Sequence, residues 1–191
     1  MNNREPLIQT FLEKNKQINL SAIRDEEGVF LKHIQDSLEV NKIIQFPVGS
    51  HIADIGTGSG FPLMPLAMTN PQANFVGIDS VKKKTVAVNE ILSSLQVPNA
   101  KVERSRIEEY KNQTFDFVTA RAVAYVDKLL PWAFHLLQKG GTFILMKQQL
   151  PEEKEVLLAL CKKMKLKLID EHMYALFEGD IQRVMYVIKK D

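Results

Sequence analysis

His51-Ile52-Ala53-Asp54-Ile55-Gly56-Thr57-Gly58-Ser59-Gly60 (residues 51–60) is a short apolar run closed by three alternating glycines. The run predicts a buried strand and the glycines a tight turn, with a helical stretch, 62–68, immediately after it. Strand, glycine turn and helix form the opening unit of an α/β sheet, and ligands bind such sheets at the carboxyl ends of their strands. The same alternation continues downstream. Residues 74–79, 100–104, 115–120 and 142–147 read as strands. Residues 82–95, 126–138 and 152–164 read as helices, the second halted by Gly140-Gly141 and the third opened by Pro151. Residues 165–176 and 183–190 are strand-like with no helix between them. The expectation is a mostly parallel seven-stranded sheet ending in an antiparallel hairpin at one edge.

Upstream, Leu7, Ile8, Phe11, Leu12, Asn15 and Ile18 recur at helical spacing. A second run from Asp25 places Val29, Phe30, Ile34, Leu38 and Ile43 on one face. Neither helix holds enough apolar surface to fold alone, so residues 1–46 are expected to form a helical cap on a main domain, 47–191. The chain has 191 residues, which suits one core and an appendage. Lys and Arg total 25 against 23 Asp and Glu, with the excess in residues 121–191. That balance excludes a histone-like polyelectrolyte and leaves a local basic face open. With Cys161 the single cysteine, no intramolecular disulfide and no Cys-based zinc site can form, and no metal is expected. Signal-peptide and membrane-span patterns are missing, so the expected setting is cytoplasmic, away from membranes.

The glycine turn departs from the dinucleotide fingerprint G-x-G-x-x-G and lacks the Lys-Ser/Thr of a phosphate-binding loop. It has instead a carboxylate, Asp54, two residues before Gly56. An acid beside the turn suits a cationic ligand and repels a diphosphate. S-adenosylmethionine has an amino group, a sulfonium and no phosphate, and so fits. The second strand ends in Asp79, at about the 20-residue separation expected of an acid that binds ribose hydroxyls, though the same residue could cap the helix near Lys82. After the fourth strand the chain reads Thr119-Ala120-Arg121-Ala122-Val123. This is not the Asn/Asp-Pro-Pro-aromatic sequence of amino-group methylation. Cys161 lies among Val156, Leu157 and Leu160 on an apolar helix face and reads as an inert thiol rather than a nucleophile. A ring nitrogen with a free lone pair, such as guanine N7, needs no general base. Catalysis then reduces to positioning and charge support.

Several segments resemble the small-subunit ribosomal RNA methyltransferase G family, also called glucose-inhibited division protein B. They are Ile18-Asn19-Leu20-Ser21-Ala22-Ile23, Lys32-His33-Ile34-Gln35-Asp36-Ser37-Leu38, Asp54–Pro62 with Pro65-Leu66-Ala67, and Asp79-Ser80 with Lys83-Lys84. Ser105-Arg106-Ile107-Glu108-Glu109, Ala120-Arg121-Ala122, and Gly140-Gly141 leading to Lys147 complete the match. The resemblance implies a Rossmann-like class I S-adenosylmethionine-dependent methyltransferase fold, and methyl transfer to N7 of a guanine in 16S ribosomal RNA, giving 7-methylguanosine. It places Gly56, Phe61, Ile107, Glu108 and Arg121 at cofactor-binding positions, with Gly58 and Gly60 in the same turn and Asp79 as the ribose acid. Ile107 would flank the adenine and Phe61 would wall the pocket. Leu63 and Gln148 stand where the family usually has glycine. Arg121 is the candidate catalytic residue, as an RNA anchor that steers the guanine edge. Lys82, Lys83, Lys84, Arg104, Arg106, Lys147 and Arg183 are candidate RNA contacts. His33, Asp36 and Ser37 share a helix face and are read as a structural lock, and Trp132 is read as core. A 16S RNA or small-subunit partner and a monomer are expected. A small-metabolite methyltransferase and a non-catalytic binding module are the alternatives.

Overall fold

The computed structural model describes residues 4–176 and 181–191. α1 (Arg4–Ile18) buries Leu7, Ile8, Phe11, Leu12 and Asn15, the stripe expected from its spacing. Asn19 then takes a left-handed turn, φ 57°. The second run is capped by Asp25, whose carboxylate accepts the Gly28 N–H at 2.7 Å. It is not one regular helix. α2 (Glu26–Val29) passes into a π-helical stretch, Phe30–Gln35, before α3 (Asp36–Leu38) and α4 (Val40–Ile43). The wider winding changes which residues face inward, so Val29, Ile34 and Val40 are fully buried while Phe30, Leu38 and Ile43 are only partly covered.

The remaining elements follow the expected alternation. They are β1 (His51–Ile55), α5 (Leu63–Thr69), β2 (Asn74–Asp79), α6 (Lys82–Ser94), β3 (Ala100–Arg104), β4 (Phe115–Arg121), α7 (Val126–Ala133), β5 (Leu137–Gln148), α8 (Pro151–Met164), β6 (Leu166–Leu176) and β7 (Ile181–Lys190). The seven strands lie in the order β3-β2-β1-β4-β5-β7-β6. β1 to β5 are parallel, and β7 inserts antiparallel between β5 and β6, so the hairpin does close one edge. At the opposite edge, Asn89 on α6 exchanges two hydrogen bonds with the Val102 backbone and fastens β3 to its helix.

One boundary differs from expectation. The helix starting at Val126 ends at Ala133 rather than reaching Gln138, and Leu137 already pairs with Phe115 in the sheet. Gly140-Gly141 therefore sits inside β5, where the register with β4 shifts, and does not stop a helix. Gly141 is needed there because a Cβ on it would lie 2.8 Å from the Leu137 side chain and 3.0 Å from the Asp116 carbonyl, and Gly140 takes φ +73°. Trp132 is also placed differently. Val126, Leu129, Leu130 and Ala133 take the inner face of α7, leaving Trp132 on the outer face, 37% exposed.

Two apolar clusters cover the two faces of the sheet. One joins Ala53, Ile55 and Val118 to α7, α8 and β7. The other joins Ile52, Phe75 and Phe61 to α5, α6, and also to Leu7, Phe11, Val29 and Val40 of the N-terminal cap. The cap therefore shares its core with the sheet. Phe46, at the junction, packs edge-on against Phe75 and Phe117.

Candidate functional site

The carboxyl ends of β1, β2 and β4 meet at the glycine turn. Gly56 N–H and Thr57 N–H both bond the Ile78 carbonyl of β2, at 2.8 and 3.2 Å, which draws the turn toward β2. Gly56, Gly58 and Gly60 all have positive φ, +62°, +54° and +89°. A Cβ on Gly56 would lie 2.8 Å from the Val123 side chain, and one on Gly60 2.6 Å from the Met64 side chain. Around Gly58 the nearest atom to such a Cβ is the Gly56 carbonyl at 3.6 Å, so the backbone of the turn is bare on that side.

Asp79 closes β2, and its two carboxylate oxygens accept the Gly58 N–H at 2.9 Å and the Val81 N–H at 2.8 Å. It thus links the turn to the start of α6 without being the helix N-cap, which is Val81. Asp54 lies beneath the turn and faces no open space. Its carboxylate accepts the Thr57 hydroxyl at 2.5 Å and the Thr119 hydroxyl at 3.0 Å. Burial pushes it up to about 6, against the opposing pull of those two hydroxyls and of Arg121. Direct contact with a cationic ligand, the role its position suggested, does not match this placement. The acid instead braces β1, β4 and the turn together.

Arg121 differs most from expectation. Its guanidinium is 11% exposed and donates to the Asp36 carboxylate and the Lys32 carbonyl, both at 3.0 Å, and to His33 Nδ1 at 3.0 Å. A guanidinium has only donors, so Nδ1 must accept, and His33 Nε2–H then donates to the Ser21 hydroxyl at 2.9 Å. Burial, with Arg121 close by, lowers His33 to about 3 and keeps it neutral. The second oxygen of Asp36 accepts the Tyr174 hydroxyl of β6 at 2.7 Å. Phe61 is buried with its ring stacked on His33, 4.6 Å between centroids, and its edge toward Phe11. It therefore faces the cap and is not the wall of an open pocket. Ile107 is buried in a 3-10 turn, Ile107–Glu109, among the α7-side apolar residues, and Glu108 beside it is exposed.

The family model of rRNA small subunit methyltransferase G matches residues 2–184. The chain belongs to the rRNA small subunit methyltransferase G family. The methyltransferase G of Aeromonas hydrophila is 36% identical over 149 residues, 78% of this chain and 68% of that protein. The one from Actinobacillus pleuropneumoniae serotype 5b is 40% identical over 133 residues, 70% of this chain and 63% of that protein. The matched stretch is thus under two thirds of the Actinobacillus relative. Among solved structures, a SAM-dependent methyltransferase from Aquifex aeolicus superposes with a TM-score of 0.65 at 18% identity, over 92% of this chain and 96% of that one. P. horikoshii TYW2, solved in complex with MeSAdo, gives 0.65 at 14% identity over 82% and 62%. These two likenesses are of the Rossmann-like fold.

Of the seven basic residues expected at the crevice, Lys84 and Arg183 are half-buried. Lys82, Lys83, Arg104 and Arg106 are exposed at the ends of β2 and β3. Lys147 is not available to RNA. It is buried against Glu153 at 2.6 Å and donates to the Ala124 carbonyl at 2.6 Å. Glu153 also accepts the Val126 N–H, at 3.1 Å. This buried pair fixes the turn between β4 and α7. Sequence reasoning missed Glu153 because it reads as one of several acids at the start of a helix. It also missed Tyr174, whose partner Asp36 is 138 residues away. Leu63 is fully buried, its methyl 2.9 Å from where a Gly77 Cβ would sit, so it packs against β2. Cys161 is buried, and burial pushes its thiol up, as expected of an inert cysteine. Among the described residues no group of His, Cys, Asp or Glu could hold a metal ion, and no helix is long and apolar enough to cross a membrane.

Proposed function

We propose that this protein methylates N7 of a guanine in 16S ribosomal RNA, using S-adenosylmethionine. The observation that carries the reading is the bare backbone at Gly58 beside Asp79, in a chain of the methyltransferase G family. The residues present fit the cofactor. Gly58 leaves room for close approach, while Gly56 and Gly60 shape the turn. Asp79 has acceptor capacity beyond its two N–H bonds and can take ribose hydroxyls. Ile107 offers an apolar edge, with the Ile107–Glu108 backbone beside it for the adenine. Asp54 and Phe61 act from behind, shaping the turn.

S-adenosylmethionine supplies an electrophilic methyl group. Held by Gly58, Asp79 and Ile107, it would supply that methyl to the N7 lone pair with the sulfur retaining the bonding electrons, so the chain need supply no general base. No proton leaves. What the chain contributes is alignment at near-attack distance. The four exposed cations at the ends of β2 and β3 give the RNA a phosphate-binding rim on one side of the crevice, so binding weakens steeply with salt. The protein acts as a monomer in the cytoplasm on this reading.

Small ribosomal subunits from cells lacking the activity, incubated with radiolabelled cofactor, are expected to gain one methyl group that maps to guanine N7 in 16S RNA. Absence of transfer to subunits, assembly intermediates and naked RNA overturns the proposal, as does turnover on a small molecule without RNA.

A further inference from the structure

We propose that Asp36 is a positioning residue for the cofactor turn, acting through Arg121 on both ends of the glycine segment. The inference rests on the reading of the crevice given above and extends it to a residue of the N-terminal cap.

Asp36 is 1% exposed and spends one oxygen on Arg121 and the other on Tyr174, so a single carboxylate ties the cap helix, β4 and the C-terminal hairpin together. Replacement of a buried ion pair by apolar side chains is often neutral for stability, so its presence is weak evidence of a stabilising role. Its placement speaks for another one. Arg121 is the last residue of β4, and Ala122 follows with φ +54°, a left-handed conformation that a residue with a Cβ adopts at a cost. That turn lays Val123 against Gly56, the first glycine, so tightly that no side chain fits between them. The other end of the segment is gripped from the same centre. Phe61 stacks on His33, which Arg121 holds through Nδ1, and the guanidinium itself lies 5.9 Å from the Phe61 ring. Gly56 and Phe61, the two ends of the turn, thus depend on one guanidinium, and that guanidinium on Asp36. The cap side of the clasp, with Lys32 and His33, lies in the π-helical stretch, a winding that recurs at functional sites.

The test is isothermal titration of S-adenosylmethionine into full-length wild type, Asp36→Asn, Tyr174→Phe and Leu7→Ala, with urea unfolding of each. Leu7→Ala removes a buried cap residue outside the clasp and sets the effect of stability loss alone. Asp36→Asn is expected to weaken cofactor affinity by about ten-fold or more, the size of a lost charge-assisted hydrogen bond. Leu7→Ala should stay near wild type in affinity despite an equal or larger loss of stability. Wild-type affinity in folded Asp36→Asn, or equal weakening in Leu7→Ala, overturns the proposal. If Asp36→Asn does not fold, Tyr174→Phe decides: measurable weakening supports the clasp and unchanged affinity overturns it. Failure of the wild type to bind the cofactor overturns the reading of the crevice instead.

Discussion

Asp54 and His33 lie near the same turn and titrate in opposite senses. Asp54 is raised from 3.8 to about 6 in the fold, so the native state holds its proton more tightly than the unfolded chain. Its contribution to stability is complete below pH 3.8 and is lost as pH rises toward 6. His33 is lowered from 6.5 to about 3, so the unfolded chain takes up the proton first. Its contribution is complete above pH 6.5 and is lost as pH falls toward 3. Between about pH 4 and 6 the two slopes oppose each other. Asp54→Asn removes the falling one, so the urea-derived stability of that variant should rise more steeply with pH over this window than the wild type's. An unchanged slope would show that Asp54 keeps an ordinary carboxyl affinity for protons. At this scale the sequence was legible in identity and blind to direction. Asp54, Phe61 and Arg121 all stand next to the turn, yet Asp54 is beneath it and the other two face the cap. Only the packing of Thr57, Thr119, His33 and Asp36 around them sets that.

At the scale of elements, the β4–α7 turn is held by the buried Lys147–Glu153 pair, through the Ala124 carbonyl and the Val126 N–H. Lys147→Met leaves Glu153 buried without its counter-ion and should cost ~3–5 kcal/mol in urea unfolding. Adding Glu153→Gln should recover a substantial part of that loss, and a double variant no more stable than the single would contradict the coupling. The elements themselves were largely readable: α1, the alternating strands and helices, and the edge hairpin follow from periodicity and from the missing helix before the last strand. The end of α7 was not. Leu136 and Leu137 continue its apolar pattern, but Leu137 pairs with Phe115, and a sheet partner outweighs local spacing. The π-helical stretch likewise has no local signature, because a residue distant in sequence, Arg121, meets Lys32 and His33 there.

For the whole molecule, the division at residue 46 does not separate two cores. Leu7, Phe11, Val29 and Val40 share one cluster with Ile52, Phe61 and Phe75. Deleting residues 1–46 should therefore expose that sheet face and strip Arg121 of Asp36 and His33. The truncated chain is expected to aggregate or to lack a cooperative unfolding transition, measured by circular dichroism during heating. A truncated domain that melts cooperatively near the full-length temperature would refute the shared core.

The residue types and their order were enough to specify a parallel sheet, its glycine turn and the acid closing β2, because strand and helix periods and turn chemistry are local properties; the family was legible only through motifs that resemble its members. Which charges stay in water was decided by the tertiary structure alone. Lys82, Lys83, Arg104 and Arg106 remain exposed, whereas Arg121 and Lys147 are drawn inside by Asp36 and Glu153. A buried cation needs its counter-charge within a few ångströms. Partners such as Asp36 and Arg121, 85 residues apart, reach that distance only once the cap has closed over the end of β4.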